Sequence, residues 1–397
     1  MADIRLAGPN FVRAAACLTV LAHHAIQRID PEVLPHNMAS WLLMGGFRVA
    51  AFFVLSGFLL ARPFWRALER AERMPSLGVF AWRRVARILP AYWLALTVSF
   101  ALSITMFGLP FYDLLGLRYI SGLALVSDWH WYTFFPVEHN GPLWAISFEV
   151  TCYLLMPLCF AVLFALRVRG WLGLSLWGAL IGLLVVAQLL IVAQMQPDDE
   201  ERGWEFGYVG GAKEWMPYFN PVALFAIFAV GVLGGGVHTL LAERRSIIFD
   251  GLVVIGLVLA GYGMVSRFPS AEGYGVANIP YGFPLFPLGI ALTLIGMPRS
   301  VWAGRLTERR PVVFVARISF GIYLWHFLVM DVVLRLWVHD YSIAGMTSLW
   351  RWGWTTAGVV VVTGVLATVS HYRLEAPVVR WARGQEQHIP VRPSSAG

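Results

Sequence analysis

Apolar runs long enough to cross a bilayer recur along the chain, and short segments rich in arginine separate them. The runs cover residues 11–29, 41–61, 90–107, 142–166, 171–194, 220–241, 247–266, 279–297, 312–337 and 352–372. A helix needs about 20 mainly apolar residues to span roughly 30 Å of hydrocarbon. About ten transmembrane helices are therefore expected, in an all-α, polytopic membrane fold. The stretch 111–127, FYDLLGLRYISGLALVS, is short and carries Asp113 and Arg118. It reads as a re-entrant or an interfacial helix, and the pattern leaves both open.

Charge supports ten spans rather than eleven. With the N-terminus in the cytoplasm, twenty of the thirty cationic residues fall in the inner segments and five in the outer ones, Arg118, Arg202, Lys213, Arg267 and Arg351. Positive residues favour the cytoplasmic side. An eleventh span at 111–127 would put Arg167 and Arg169 outside and invert every later loop. Both termini are then cytoplasmic. Residues 1–384 form one membrane domain, and 385–397 a short polar tail expected to be disordered. The first span lacks a basic leading region and a small-residue cleavage site, so it is read as retained rather than removed as a signal peptide.

Composition narrows the class. Hydrophobic residues make up 58% of the 397 and charged residues 13%, which places the chain in lipid. The net charge of +7 comes without a basic stripe interleaved with aromatics, so no nucleic-acid partner is expected. Cys17, Cys152 and Cys159 all lie in apolar runs, with neither a disulfide framework nor metal-ligand spacing. No metal site is expected.

The candidate chemistry begins with Arg13 and His24 inside the first span. Ionisable groups are costly there and point to function. Eleven residues apart on a helix, they share a face, about 16 Å apart along the axis. Counted from the outer ends of their spans, His24, Arg48 and Glu149 fall at a similar depth, roughly 8 to 11 Å in. A base, a guanidinium and a carboxylate at one level could orient and deprotonate a reacting group; the plain competitor is a structural histidine. The inner layer is cationic. Arg84 and Arg87 in AWRRVARILP share a helix face, either as a topology signal or as a clamp whose planar forks suit phosphate. A carrier with phosphates at the inner layer and a reactive group at the outer one needs an arm about as long as the 16 Å between Arg13 and His24, and the phosphopantetheine arm of coenzyme A is comparable. Ser56 and Gly57 in FFVLSGFLL form a small pair that reads as a packing notch or a nucleophile. There is no G-x-S-x-G elbow, P-loop, H-E-x-x-H or G-x-G-x-x-G, and no H-x-x-x-D.

Together these residues resemble the acyltransferase family 3 membrane proteins over nearly the whole chain. Arg13 and His24 match the family's Arg-x10-His. FFVLSGFLL matches its S-G-F segment at Ser56, Gly57 and Phe58, and RRVARILPAYW its R-x-x-R and I-L-P at Arg84 and Arg87. GPLWAISFEVTCYLLMP is similar to its P-L-W-S-L-S-v-E segment at Trp144, Ser147, Glu149, Tyr153 and Pro157. ISFGIYLWHFLV matches at Ser319, Tyr323 and His326, and HYRLEAPVVRW at Glu375 and Pro377. Val150, Ala145 and Phe320 depart from the pattern.

The resemblance implies acyl transfer, usually of acetyl, from cytoplasmic acyl-CoA to a hydroxyl of an extracytoplasmic glycan or glycolipid. It implies a multi-pass protein of the bacterial inner membrane that modifies polysaccharide of the cell envelope, in the stand-alone form of the family. Acylation of a small molecule such as a macrolide, or of a lipid, is the alternative, and a non-enzymatic transporter is the third reading. On the first, Arg13, Arg84 and Arg87 hold the phosphates of acyl-CoA. His24 is the general base, Glu149 steadies its imidazolium and Arg48 stabilises the oxyanion. Ser56 is a candidate acyl carrier.

Overall fold

In a computed structural model, residues 8–34, 46–111, 113–195, 203–241, 244–266, 273–307 and 309–386 are described. These residues are helical and irregular, without strands. Ten helices correspond to the ten apolar runs: α1 (Pro9–Ile26), α2 (Phe47–Glu69), α3 (Leu77–Thr105), α5 (Trp144–Leu166), α6 (Gly170–Gln194), α8 (Pro221–Leu240), α9 (Ile247–Val265), α10 (Leu285–Gly296), α11 (Arg310–Leu336) and α12 (Leu349–Ser370). Eight are long and apolar enough to cross a membrane by themselves. The exceptions are α1, which carries the ionisable pair, and the short α10. Between and after them lie shorter helices, among them α4 (Asp113–Leu123), α7 (Gly207–Trp215) and α13 (Ala376–Gly384). The first five residues of the expected second span, 41–45, and the tail from 387 onward lie outside the described residues.

The centre of the bundle is the α2–α8 pair, held at close range by small residues. A Cβ on Gly231 would lie 2.0 Å from the Val54 carbonyl oxygen, and one on Gly57 2.3 Å from that of Phe228. Lipid supplies no hydrophobic drive between helices, so close backbone packing of this kind is what joins them. The Ser56–Gly57 pair divides its work accordingly. Gly57 is the notch against α8, while Ser56, about 100° round the helix, faces elsewhere. α1 packs against α2 and α11, and α10 lies over α2 and α8. The outward faces of α6, α9 and α12 expose Leu183, Val258 and Val361, as lipid-facing helices do.

The segment between α4 and α5 departs from expectation. Residues 133–137 and 140–143 are buried, and the segment is tied to the bundle by hydrogen bonds. The Asn140 amide nitrogen donates to Ser99 Oγ and to the Leu324 carbonyl, both at 3.0 Å. The Tyr323 hydroxyl donates to the Pro142 carbonyl, and Arg118, fully buried, donates to the Phe135 carbonyl and pairs with Glu138. α5 therefore begins level with the interior of α3 and α11, not at a membrane surface. At 11 residues, α4 covers about half of the hydrocarbon thickness. It is strapped to α3 through Tyr92 and Trp93, which donate to the Gly122 and Leu123 carbonyls.

Candidate active site

The recess of α5 rearranges the expected constellation. A cleft of about 130 Å³ opens between α1, α2, α3, α5 and α11. Its polar lining comprises Arg13, Ser56, Arg84, Arg87, Glu149, Tyr153, Ser319 and Tyr323. Three guanidinium groups thus face one carboxylate. An engineered cavity of about 150 Å³ holds a molecule the size of benzene, so this space suits the end of a ligand rather than a whole cofactor.

Glu149 is the acceptor for two hydroxyls. Ser56 Oγ donates to its Oε1 at 2.8 Å, and Tyr153, one turn further along α5, donates to the same oxygen. Arg87 reaches Glu375 at 3.4 Å and lies over the Phe320 ring, with 5.7 Å to the centroid. Glu375 is itself held by Ser370. Arg13 and Arg84 have neither a hydrogen bond nor an ion pair among the described residues, and Arg84 Nε is buried without a partner. Arg13, Arg84 and Arg87 are brought together, with Ser56 and Glu149 beside them.

His24 is not in this cleft. Its Nδ1 meets Gln27 Oε1 at 2.9 Å. Since an amide oxygen only accepts, Nδ1 carries the proton and Nε2 the lone pair. Its ring lies 4.9 Å from that of His23, 5.2 Å from His326 and 5.1 Å from Phe327. Two expectations are corrected here. Glu149 engages Ser56 and Tyr153 in the arginine cleft, not the imidazole of His24, because α5 starts deep in the bundle and depths counted from residue 142 were too shallow. Arg48 donates to the Thr19 carbonyl at 2.5 Å, so it braces α2 against α1 instead of joining the histidine.

Three residues near the site were not singled out as candidates from sequence. Tyr153 was noted only as part of a motif. Gln27 sits three residues beyond His24, a helical neighbour spacing that could have flagged it. His326 is fully buried, with Nδ1 donating to the carbonyls of Ile322 and Tyr323 at 3.0 and 2.8 Å. Its Nε2 has no partner among the described residues, an arrangement that costs roughly 1–3 kcal/mol for a buried acceptor. Beyond the histidines, Arg28 pairs with Asp331 at 2.6 Å, and Asp331 also meets His139 Nδ1 at 2.9 Å. Among the described residues, no group of histidine, cysteine and carboxylate side chains could hold a metal ion.

A family model described as an acyltransferase domain matches residues 6–370. The chain is 25% identical over 405 residues to acyltransferase MdmB of Streptomyces mycarofaciens, covering 99% of this chain and 96% of that protein. It is 23% identical over 357 residues to the O-acetyltransferase OatA of Staphylococcus aureus, covering 87% of this chain and 54% of OatA. The chain therefore spans about half the length of OatA. No solved structure matches it.

Proposed function

The chain belongs to this acyltransferase family and is an integral membrane acyltransferase; from that premise we propose that it moves an acyl group, acetyl in the first instance, from cytoplasmic acyl-CoA to a hydroxyl of an extracytoplasmic glycan or glycolipid. The observation that carries the donor assignment is the imbalance of the cleft. Among the described residues Arg13 and Arg84 face it without an ion pair, and Glu149 is the single carboxylate in its lining. A guanidinium held in low dielectric without a partner is costly, and an anionic ligand such as the phosphates of acyl-CoA removes that cost while forming charge-assisted bonds.

The arginines lie at the end of α1 assigned to the cytoplasm by the charge bias, which is where acyl-CoA is available. From there the pantetheine arm runs along α1 toward His24, about 16 Å further. His24 Nε2 takes the proton of the acceptor hydroxyl as that oxygen attacks the thioester carbonyl. The tetrahedral intermediate then expels the thiolate of coenzyme A, which takes the proton back from the imidazolium. Gln27 holds Nδ1 throughout, so the neutral base always presents Nε2. Glu149 is assigned to positioning Ser56 and Tyr153 and to partial neutralisation of the cleft. No oxyanion role is assigned to Arg48.

The test uses purified protein in liposomes with radiolabelled acetyl-CoA. The Arg13→Ala and Arg84→Ala variants should each raise the donor KM about tenfold or more, and Arg→Lys should restore only part of it, because a point charge does not replace the planar fork. If titration shows the Arg13→Ala/Arg84→Ala double variant binding coenzyme A as tightly as the parent, the donor assignment is wrong. Analysis of the labelled product separates a glycan or glycolipid acceptor from a small molecule.

A further inference from the structure

The neighbourhood of His24 contains a second imidazole fixed in the same sense. His326 donates from Nδ1 to two carbonyls of its own helix, so its bonded edge faces α11 and its Nε2 edge faces away from it. The ring is fully buried, and Nε2 has no hydrogen-bond partner among the described residues. His24, whose Nδ1 is held by Gln27, lies with its ring centroid 5.2 Å off and its plane tilted by 31°. With both Nδ1 atoms held, each of these neighbouring rings has only its Nε2 lone pair left to offer a ligand, and in their neutral forms neither brings a proton there.

A single hydroxyl carries one proton. Spent on His24, it leaves the buried Nε2 of His326 unmade, which discriminates strongly between ligands. A ligand with hydroxyls on adjacent carbons satisfies both, with each O–H···N contact near 2.8 Å. We propose that His24 and His326 together form the acceptor site, and that the site is built for a vicinal diol of the kind carried by sugar rings. The reacting hydroxyl donates to His24 Nε2 and its neighbour donates to His326 Nε2. This rests on the assignment of His24 as the base and narrows the acceptor class to polyols. The second hydroxyl is bound and not consumed: one O–H and one C–S bond break, one C–O and one S–H bond form.

The test begins with product analysis. Membranes containing the protein and its native acceptor are labelled with radioactive acetyl-CoA, and the ester is located by NMR. It should sit on an oxygen whose neighbouring carbon carries a free hydroxyl; an ester of an isolated hydroxyl overturns the proposal. The isolated acceptor is then titrated. His326→Phe should raise the acceptor KM about tenfold or more with the donor KM unchanged, and His326→Gln, which retains an acceptor oxygen, should recover much of the loss. An unchanged acceptor KM in a folded His326→Phe protein overturns the proposal even when His24→Ala is inactive. Full activity in His24→Ala is a different result, since it removes the base assignment itself. Should the Phe variant fail to fold, the Gln variant and the product's ester position decide.

Discussion

Glu149 gives one oxygen to both the Ser56 and Tyr153 hydroxyls, which ties its role to the donor cleft rather than to the base. His24 is instead oriented by a neutral amide. That fixes the tautomer without adding a negative charge beside the ring, so on the proposed mechanism the burden of proton transfer rests on His24 alone. Replacement of His24 by Ala should leave insertion and folding intact and lower transfer by about 10²-fold or more, the usual contribution of a general base. His23 meets the His24 ring edge-on but leaves the Gln27 contact untouched. His23→Ala should therefore stay within about tenfold of the parent; equal losses at both positions in initial-rate measurements would contradict the assignment. The Ser56 hydroxyl points at Glu149, and direct transfer does not use it. Ser56→Ala should accordingly retain transfer within about tenfold, since lost positioning costs less than a lost reacting group. A labelled acyl-enzyme that forms in the parent and is absent from Ser56→Ala would replace direct transfer by a covalent route.

At the scale of elements, periodicity and run length were enough to find ten apolar runs that are helices, eight of them long enough to cross, and the helices end within a few residues of those runs except where α2 and α3 extend beyond them and α10 begins at Leu285. The Arg13, Arg84 and Arg87 grouping was legible too, because helix spacing and charge bias are local properties. The depth of Glu149 was not. Residues 128–141, between the stretch 111–127 and the run 142–166, contain Asp128, Glu138, His139 and Asn140, polar residues that suit an outer loop in water. Each of these side chains has its partner inside the bundle: Thr151, Arg118, Asp331, and Ser99 with the Leu324 carbonyl. A sequence shows that a residue is charged, not that a partner two helices away neutralises it, and burial of polar groups follows from the partner. Burial lifts the Asp128 carboxyl above the usual carboxylate range, opposed in part by the Thr151 hydroxyl. Arg118 fastens this segment at two points, the Phe135 carbonyl and the Glu138 carboxylate. Arg118→Met should cost about 1–3 kcal/mol, because the Phe135 carbonyl and the Glu138 carboxylate then lose a buried donor. The apparent Tm in detergent should fall by several degrees. An unchanged Tm would mean that the recessed segment is held by its apolar residues alone.

For the whole molecule, the consequence is that donor cleft and histidine pair lie in line along α1 and α11 but are not one open space. Tyr323 lines the arginine cleft, its hydroxyl held by the Pro142 carbonyl. Its ring lies 6.1 Å from that of Phe52, which also lines the cleft, and 6.1 Å from that of His326. Tyr323 thus joins the cleft lining to the histidine pair, and on the proposed mechanism the thioester arm has to pass the Phe52–Tyr323 pair to react. Such a pair serves transfer over hydrolysis. While it is closed, the thioester is kept from the histidines and from any water that reaches them from the acceptor side. Opening it is a side-chain rearrangement, of the kind that gates many enzymes without moving whole helices. Phe52→Ala removes one ring of the pair while leaving Arg13, Arg84 and His24 in place. Its expected signature is a several-fold rise in acetyl-CoA hydrolysis without acceptor, together with a lower fraction of acyl groups delivered when acceptor is present. Coenzyme A affinity should stay near that of the parent, since the phosphates bind at the arginines. Hydrolysis that stays at the parent rate in a folded Phe52→Ala protein would show that the aromatic pair does not separate the two ends, and that the arm reaches His24 by another path.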